Sequence, residues 1–142
     1  MTKPPGCALG LDLGEERIGV AVSNDSQSVA TPLEVIPARD RDAVDRRLHE
    51  LVDEWAIAVI VVGMPYSLDG QEGPAARRVR AIMKRLGDTL QPPLVTYDER
   101  LTTVEAHHSL DMQQIPGRSR REMVDMVAAQ VILQGWIEKS QS

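Results

Sequence analysis

Two short runs near the start of the chain alternate large and small side chains. Leu9, Leu11 and Leu13 are separated by Ala8, Gly10 and Asp12, and Ile18, Val20 and Val22 by Gly19, Ala21 and Ser23. Successive strand side chains point to opposite faces. The stretch from Cys7 to Ser23 therefore predicts a β-hairpin with one branched apolar face and one face of very small residues. Residues 29–36 read as a third strand, in which Pro32 points to an edge or an irregular start, and Pro37 ends it. The period then changes. Val44, Leu48, Leu51, Val52 and Trp55 form one stripe at helical spacing, predicting a helix over 41–55 with Asp40 as its N-cap. Arg46, Arg47, Glu50 and Asp53 make its opposite, solvated face.

The run IAVIVVG, residues 57–63, is apolar without alternation. That predicts a strand buried on both faces at the centre of a partly parallel sheet. A glycine-bounded loop, residues 64–73, follows at the carboxyl end of this strand, where open α/β sheets place ligands. Pro74 opens a second helix reaching residue 86 or 90, with Val79, Ile82, Met83, Leu86 and Leu90 on its buried side, and Pro92-Pro93 block its continuation. Leu94 to Asp98 reads as a fifth strand. Thr102 with Glu105, and Ser119 with Glu122, have the spacing of capping boxes. They predict a short helix carrying His107 and His108, and a final helix to about residue 138, separated by an aperiodic loop over 111–117. Three strands, helix, strand, helix, strand and then helices describe an α/β fold, a mixed five-stranded sheet flanked by helices, in a single domain over 1–142.

Composition narrows the classes. The 142 residues suit one core. No apolar run approaches the ~20 residues of a membrane helix, and Met1 to Pro5 do not begin a signal peptide, so a cytoplasmic protein is expected. Cys7 is the one cysteine, which leaves no internal disulfide and no cysteine metal cluster. Phe is absent and aromatic residues are 3%, so platforms for stacking bases are scarce. With a net charge of −5, any contact with nucleic acid must come from local basic patches.

Candidate chemistry lies in the acids. Asp12 is a single carboxylate on the small-residue face, where the absent Cβ atoms of neighbouring glycines admit a ligand or backbone; the alternative is a residue that only starts the turn. Asp98-Glu99 ends the last strand, where Asp98 fits a turn role as well as a catalytic one. Asp125 falls inside the apolar arc of the final helix. A buried carboxylate costs several kcal/mol unless it is paired or binds a cation. Asp125 could thus pair with Arg100 or Arg121, or the acids could share a divalent ion. Mg²⁺ and Mn²⁺ favour carboxylate oxygens, and two such ions about 4 Å apart can clamp the attacking and leaving oxygens of a phosphodiester. His107 and His108 are adjacent, so they cannot chelate one ion together and read as surface or packing residues. Arg118, Arg120 and Arg121 precede and enter the first turn of the final helix, whose amino end favours anions, and make a candidate phosphate patch. Arg17 and Arg100 are further candidates for contacting substrate. Arg77, Arg78, Arg80, Lys84 and Arg85 read as a solvated basic face.

The segments GLDLGEERIGVAVS, VVGMPYSLDGQEGPAA, YDERLTT and RREMVDMVAAQVIL, in this order and spacing, resemble the YqgF family, also called RuvX, over roughly residues 7–137. These bacterial proteins are similar to Holliday-junction resolvases. The resemblance implies a ribonuclease H-like fold and metal-dependent phosphodiester hydrolysis with Mg²⁺ or Mn²⁺, with Asp12, Glu99 and Asp125 as catalytic and metal-binding residues. It also implies a cytoplasmic role in maturing the 5′ end of small-subunit ribosomal RNA, with resolution of branched DNA as the alternative. True resolvases carry their second acid at the end of the fourth strand, where this chain has Gly63; Glu99 comes from the next strand.

Two other classes compete with a nuclease. DLG followed by a glycine-bearing hairpin also occurs in actin-like ATPases, but those enclose a nucleotide between two lobes and this chain builds one. A non-catalytic assembly factor binding ribosomal RNA or protein could use the acids for structure alone. RNA against DNA, endo- against exonucleolytic cutting, and monomer against homodimer stay open at the level of sequence.

Overall fold

The computed structural model describes residues 6–101 and 117–140. The short helix expected after Thr102, with His107 and His108, and most of the loop over 111–117 lie outside these residues. Five strands form one sheet: β1 (Cys7–Leu13), β2 (Arg17–Ser23), β3 (Ala30–Pro37), β4 (Ile57–Met64) and β5 (Leu94–Asp98), in the order β3-β2-β1-β4-β5. β1 pairs antiparallel with β2 and parallel with β4, and β4 pairs parallel with β5. β2 pairs antiparallel with β3. Four strands, β1, β3, β4 and β5, therefore point the same way, and their carboxyl ends share one edge. The central strand is β1, not β4 as the apolar run suggested. β4 is nonetheless buried on both faces, because helices cover the sheet on either side.

Helix α1 (Arg41–Trp55) begins where Asp40 accepts hydrogen bonds from the Asp42 and Ala43 amides at 3.0 and 3.2 Å. It ends at Ala56, whose φ of 49° turns the chain into β4. Helix α2 (Pro74–Gly87) starts with Pro at its first position, as a proline without an N–H allows. Both pack on one face, where Leu9, Leu11, Leu13, Ile18 and Val20 meet Val44, Leu48, Leu51, Val79 and Leu86. Helix α3 (Arg120–Ser140) covers the other face through Ala129, Ile132, Leu133 and Ile137, which meet Ala8, Ala21, Val59 and Val61.

Three expectations change in detail. Trp55 remains 38% exposed, because it lies at the last position of α1, past the buried Leu51. β3 starts at Ala30, leaving Val29 exposed, and its register slips where Pro32 faces Ala21. Arg47 is not merely solvated: it grips Glu34 of this edge strand at 2.7 and 2.9 Å, tying β3 to α1.

Candidate active site

The two sheet faces hold their helices at different heights. On the small-residue face the glycines let the α3 backbone rest on the strands. A Cβ on Gly10 would come within 2.7 Å of the Leu133 Cβ, and one on Gly19 would overlap the backbone carbonyl of Asp125. Gly19 is the cross-strand partner of Asp12. The same missing side chain thus seats Asp125 above the strand position beside Asp12. Any larger residue at 19 would lift α3 and separate the two acids.

Glu99 reaches the same region from β5. It opens a single 3₁₀ turn, Glu99–Leu101, directly after Asp98. Its carboxylate lies over Gly63 of β4, where a Cβ would collide with Glu99 Oε2 and with Ile132. Gly63 is thus the floor on which the acid just after the neighbouring strand rests. Asp98 points elsewhere: it receives Arg100 in a forked ion pair with contacts of 2.5–3.0 Å, and also accepts the Arg100 amide. The Arg100 guanidinium lies 5.9 Å from the centre of the Tyr66 ring. This geometry separates the adjacent acids, Glu99 toward Asp12 and Asp98 toward Arg100.

Burial pushes the Asp12 carboxyl up to about 6, aided by repulsion from Asp125 and opposed by Arg78. Glu99 is pushed up to about 7, first by burial and then by Asp12 and Asp98, with Arg78 again opposing. Like charges thus face one another across a half-buried space, the situation a cation relieves. Asp125 is held differently. Arg17 Nε donates to its Oδ2 at 2.6 Å, with side chains 31% and 21% exposed. Neither Arg100 nor Arg121 is the partner of Asp125; the strand that α3 rests on supplies it. Among the described residues no three His, Cys, Asp or Glu side chains are drawn close enough together to grip a metal ion, and the Arg17 guanidinium occupies one oxygen of Asp125.

The sequence matches the RuvX family, described as Holliday junction resolvase, over residues 6–139. The chain belongs to the RuvX family. Relatives described as "Putative pre-16S rRNA nuclease" match most of this RuvX chain. One from Anaeromyxobacter sp. (strain Fw109-5) is 42% identical over 130 residues, 92% of this chain and 95% of that protein. One from Streptomyces avermitilis is 42% identical over 134 residues, 94% and 86% of the two chains. Among solved structures, T. thermophilus RuvC in complex with a Holliday junction substrate superposes with a TM-score of 0.56 at 15% identity, covering 96% of each chain. The Fowlpox virus resolvase bound to Holliday junction DNA gives 0.59 at 8%, covering 96% of this chain and 99% of that one. These likenesses establish the fold, which is the ribonuclease H-like fold that the resemblance implied.

The basic residues of this RuvX protein divide into held and free. Arg118 pairs with Glu122 at 3.2 Å, while Ser119 and Glu122 cap α3 reciprocally at 3.2 and 3.3 Å. Arg120 and Arg121 are exposed. Arg78, expected from sequence to be solvated, instead reaches over the sheet edge. Its Nη2 donates to the Leu13 carbonyl at 2.5 Å, one residue beyond Asp12, and its positive charge favours the ionised form of both raised acids. The available signal was its place on one helical stripe with Ile82 and Arg85, the stripe that faces the β1–β2 turn.

Proposed function

We propose that this RuvX protein is a metal-dependent nuclease that hydrolyses phosphodiester bonds in structured nucleic acid, acting in the cytoplasm on the 5′ region of the small-subunit ribosomal RNA precursor. The observation that carries the reading is the Glu99 carboxylate laid over the bare Gly63 and facing Asp12, at the strand edge where Asp125 is also lowered onto the sheet. The relatives' names support ribosomal RNA as the substrate.

The donor types suit a hard divalent cation such as Mg²⁺ or Mn²⁺, although the three carboxylates are not gathered around one point and Arg17 engages Asp125: all three groups are carboxylates, and two are raised by burial and by neighbouring acids. Asp12, Glu99 and Asp125 would hold it. When bound, such an ion lowers the pKa of a water nucleophile and offsets charge on the leaving oxygen. The protein's own groups do the rest. Gly10 and Gly19 of the small face are covered by α3, so a sugar–phosphate backbone would reach Asp12 from the strand edge, where its side chain is partly exposed. Arg17 orients Asp125 through the 2.6 Å contact and carries a positive charge that a substrate phosphate can share. Arg118, Arg120 and Arg121, with the amino end of α3, seat a neighbouring phosphate about one helical turn, roughly 5 Å, from Asp125. Arg100 lies at the rim against Tyr66 and adds a further phosphate contact. Such contacts position the strand without reading its sequence.

The test sets labelled ribosomal RNA precursor beside a four-way DNA junction, each with Mg²⁺ or Mn²⁺, using wild type and Asp12→Asn. The RNA should be cut, and Asp12→Asn should lower turnover by about a thousandfold, some 4 kcal/mol of barrier, with the fold retained by circular dichroism. Cutting of the junction alone would replace the substrate. Full metal-dependent turnover by Asp12→Asn would overturn the assignment of the site.

A further inference from the structure

On the sheet face opposite α3, the N-terminal half of α1 and the middle of α2 part around the β1–β2 turn. They leave a cleft of about 410 Å³. Its floor is apolar, made by Leu13, Val44 and Ile82, and its walls carry Arg41, Arg78 and Arg85 against the single acid Glu15. Three guanidinium groups around one greasy hollow are unexpected in a chain of net charge −5. Two of them are fixed. Arg78 donates to the Leu13 carbonyl at 2.5 Å, and Arg85 binds both oxygens of Asp45 at 2.6 and 2.7 Å, which ties α2 to α1. Arg41 is exposed, and its side chain makes no hydrogen bond or ion pair with any described residue.

The position of the cleft relates it to the carboxylates. β1 and β3 run parallel, so the start of α1, just after β3, and the turn after β1 share the edge at which Asp12 and Glu99 lie. Leu13 and Gly14, the two residues after Asp12, both line the cleft. A strand passing the sheet edge at Asp12 has only this turn to cross before it meets the hollow.

We infer that the cleft binds a nucleoside phosphate, its base on the apolar floor and its phosphate on Arg41. The volume falls within the range of small-molecule sites, and an apolar bed with few, convergent polar groups is their usual make-up. The occupant is an unpaired nucleotide of the bound strand adjoining the cut. A free mononucleotide has the same chemistry and is the second source. The inference rests on the nuclease reading, since it takes the strand to run past Asp12.

The test is equilibrium binding in chelator, where nothing is cut. The probes are an RNA hairpin with a short single-stranded extension, the same hairpin with a blunt end, and adenosine 5′-monophosphate as competitor. Wild type should bind the extended hairpin roughly tenfold more tightly than the blunt one, the size of one phosphate and one base contact. Arg41→Gln and Ala81→Trp, both at exposed positions, remove the anion partner and fill the hollow, respectively. In each the two hairpins should bind alike. Arg46→Gln, exposed on the same helix, should keep the preference. Monophosphate that abolishes the preference in wild type assigns the cleft to free nucleotides as well; a preference that survives saturating monophosphate assigns it to the strand. Equal binding of both hairpins by wild type, or a preference intact in Arg41→Gln and Ala81→Trp, overturns the cleft alone. Failure of wild type to bind either hairpin overturns the nuclease reading and the cleft with it.

Discussion

The two faces of one sheet are built on opposite rules. Under α1 and α2, Leu9, Leu11, Leu13, Ile18 and Val20 hold the helices off the strands and are fully enclosed. Under α3, Ala8, Gly10, Gly19 and Ala21 let a helix backbone touch the strand backbone. The first face resembles many α/β cores, and changes of volume there are absorbed by side-chain repacking. The second has no strand side chain at Gly10 and Gly19, so helix height over the hairpin is set by glycine itself, and the acid on that helix is fixed with it. Stability is spread over both faces, but control of the distance between carboxylates belongs to the bare one.

The sharpest way to break this comparison is a matched pair of substitutions. Leu11→Ala leaves a cavity and should cost about 3 kcal/mol. Gly19→Ala drives a methyl into the Asp125 carbonyl and should cost a similar ~3 kcal/mol by overpacking. Well below either melting point, Leu11→Ala should retain wild-type turnover and Gly19→Ala should lose it. Equal activity in the two variants would show that helix height does not govern the site.

A second test uses protons. Asp12 and Glu99 are raised above their unfolded values, so the metal-free native state binds more protons than the unfolded chain. The stability this contributes is fully present below about pH 4 and is lost as pH rises through about 6 to 7. Denaturant melts in chelator should therefore show the protein ~2 kcal/mol less stable at pH 8 than at pH 5 from these groups. Asp12→Asn should flatten the profile, and so should Mn²⁺. The branched face carries no such groups, and Leu11→Ala should shift the whole curve without changing its slope.

The smallest expected effect lies at the start of α3. Replacing Arg118, Arg120 and Arg121 with Gln should weaken RNA and DNA binding alike. The salt dependence of binding should become shallower by up to ~0.7 to 0.9 for each phosphate no longer neutralised. Because Arg118 is already engaged by Glu122, the exposed Arg120 and Arg121 should account for most of the change. An unchanged slope would move the phosphate contacts to the other face, to Arg41 and Arg78.

Much of this was legible in local pattern. Alternation at Leu9, Leu11 and Leu13 gave the two unlike faces, the Asp40 cap and the stripe from Val44 gave α1 with its observed ends, and helical spacing turned Asp125 inward. What pattern cannot show is which distant residue meets an inward group. Arg17 lies 108 positions from Asp125; spacing along α3 says where the carboxylate points and nothing of the strand beneath it. The Glu99–Gly63 contact depends likewise on the register of β4 against β5, which pairs Met64 with Asp98. Gly63 at the end of an apolar strand was a visible sign, but it read as the end of a strand rather than as space for another strand's side chain.

The three carboxylates come from the first strand, from the turn after the fifth strand and from the helix that follows both. The ribosome makes the chain from β1 onward, so Asp12 emerges long before Asp125. A growing polypeptide carries the first acid early, yet the full set does not exist until α3 has been made and has docked on the sheet. Products of translation interrupted before α3 hold one or two acids and never the set. The order of elements along the chain thus puts the last of these carboxylates on a helix made after every strand of the sheet.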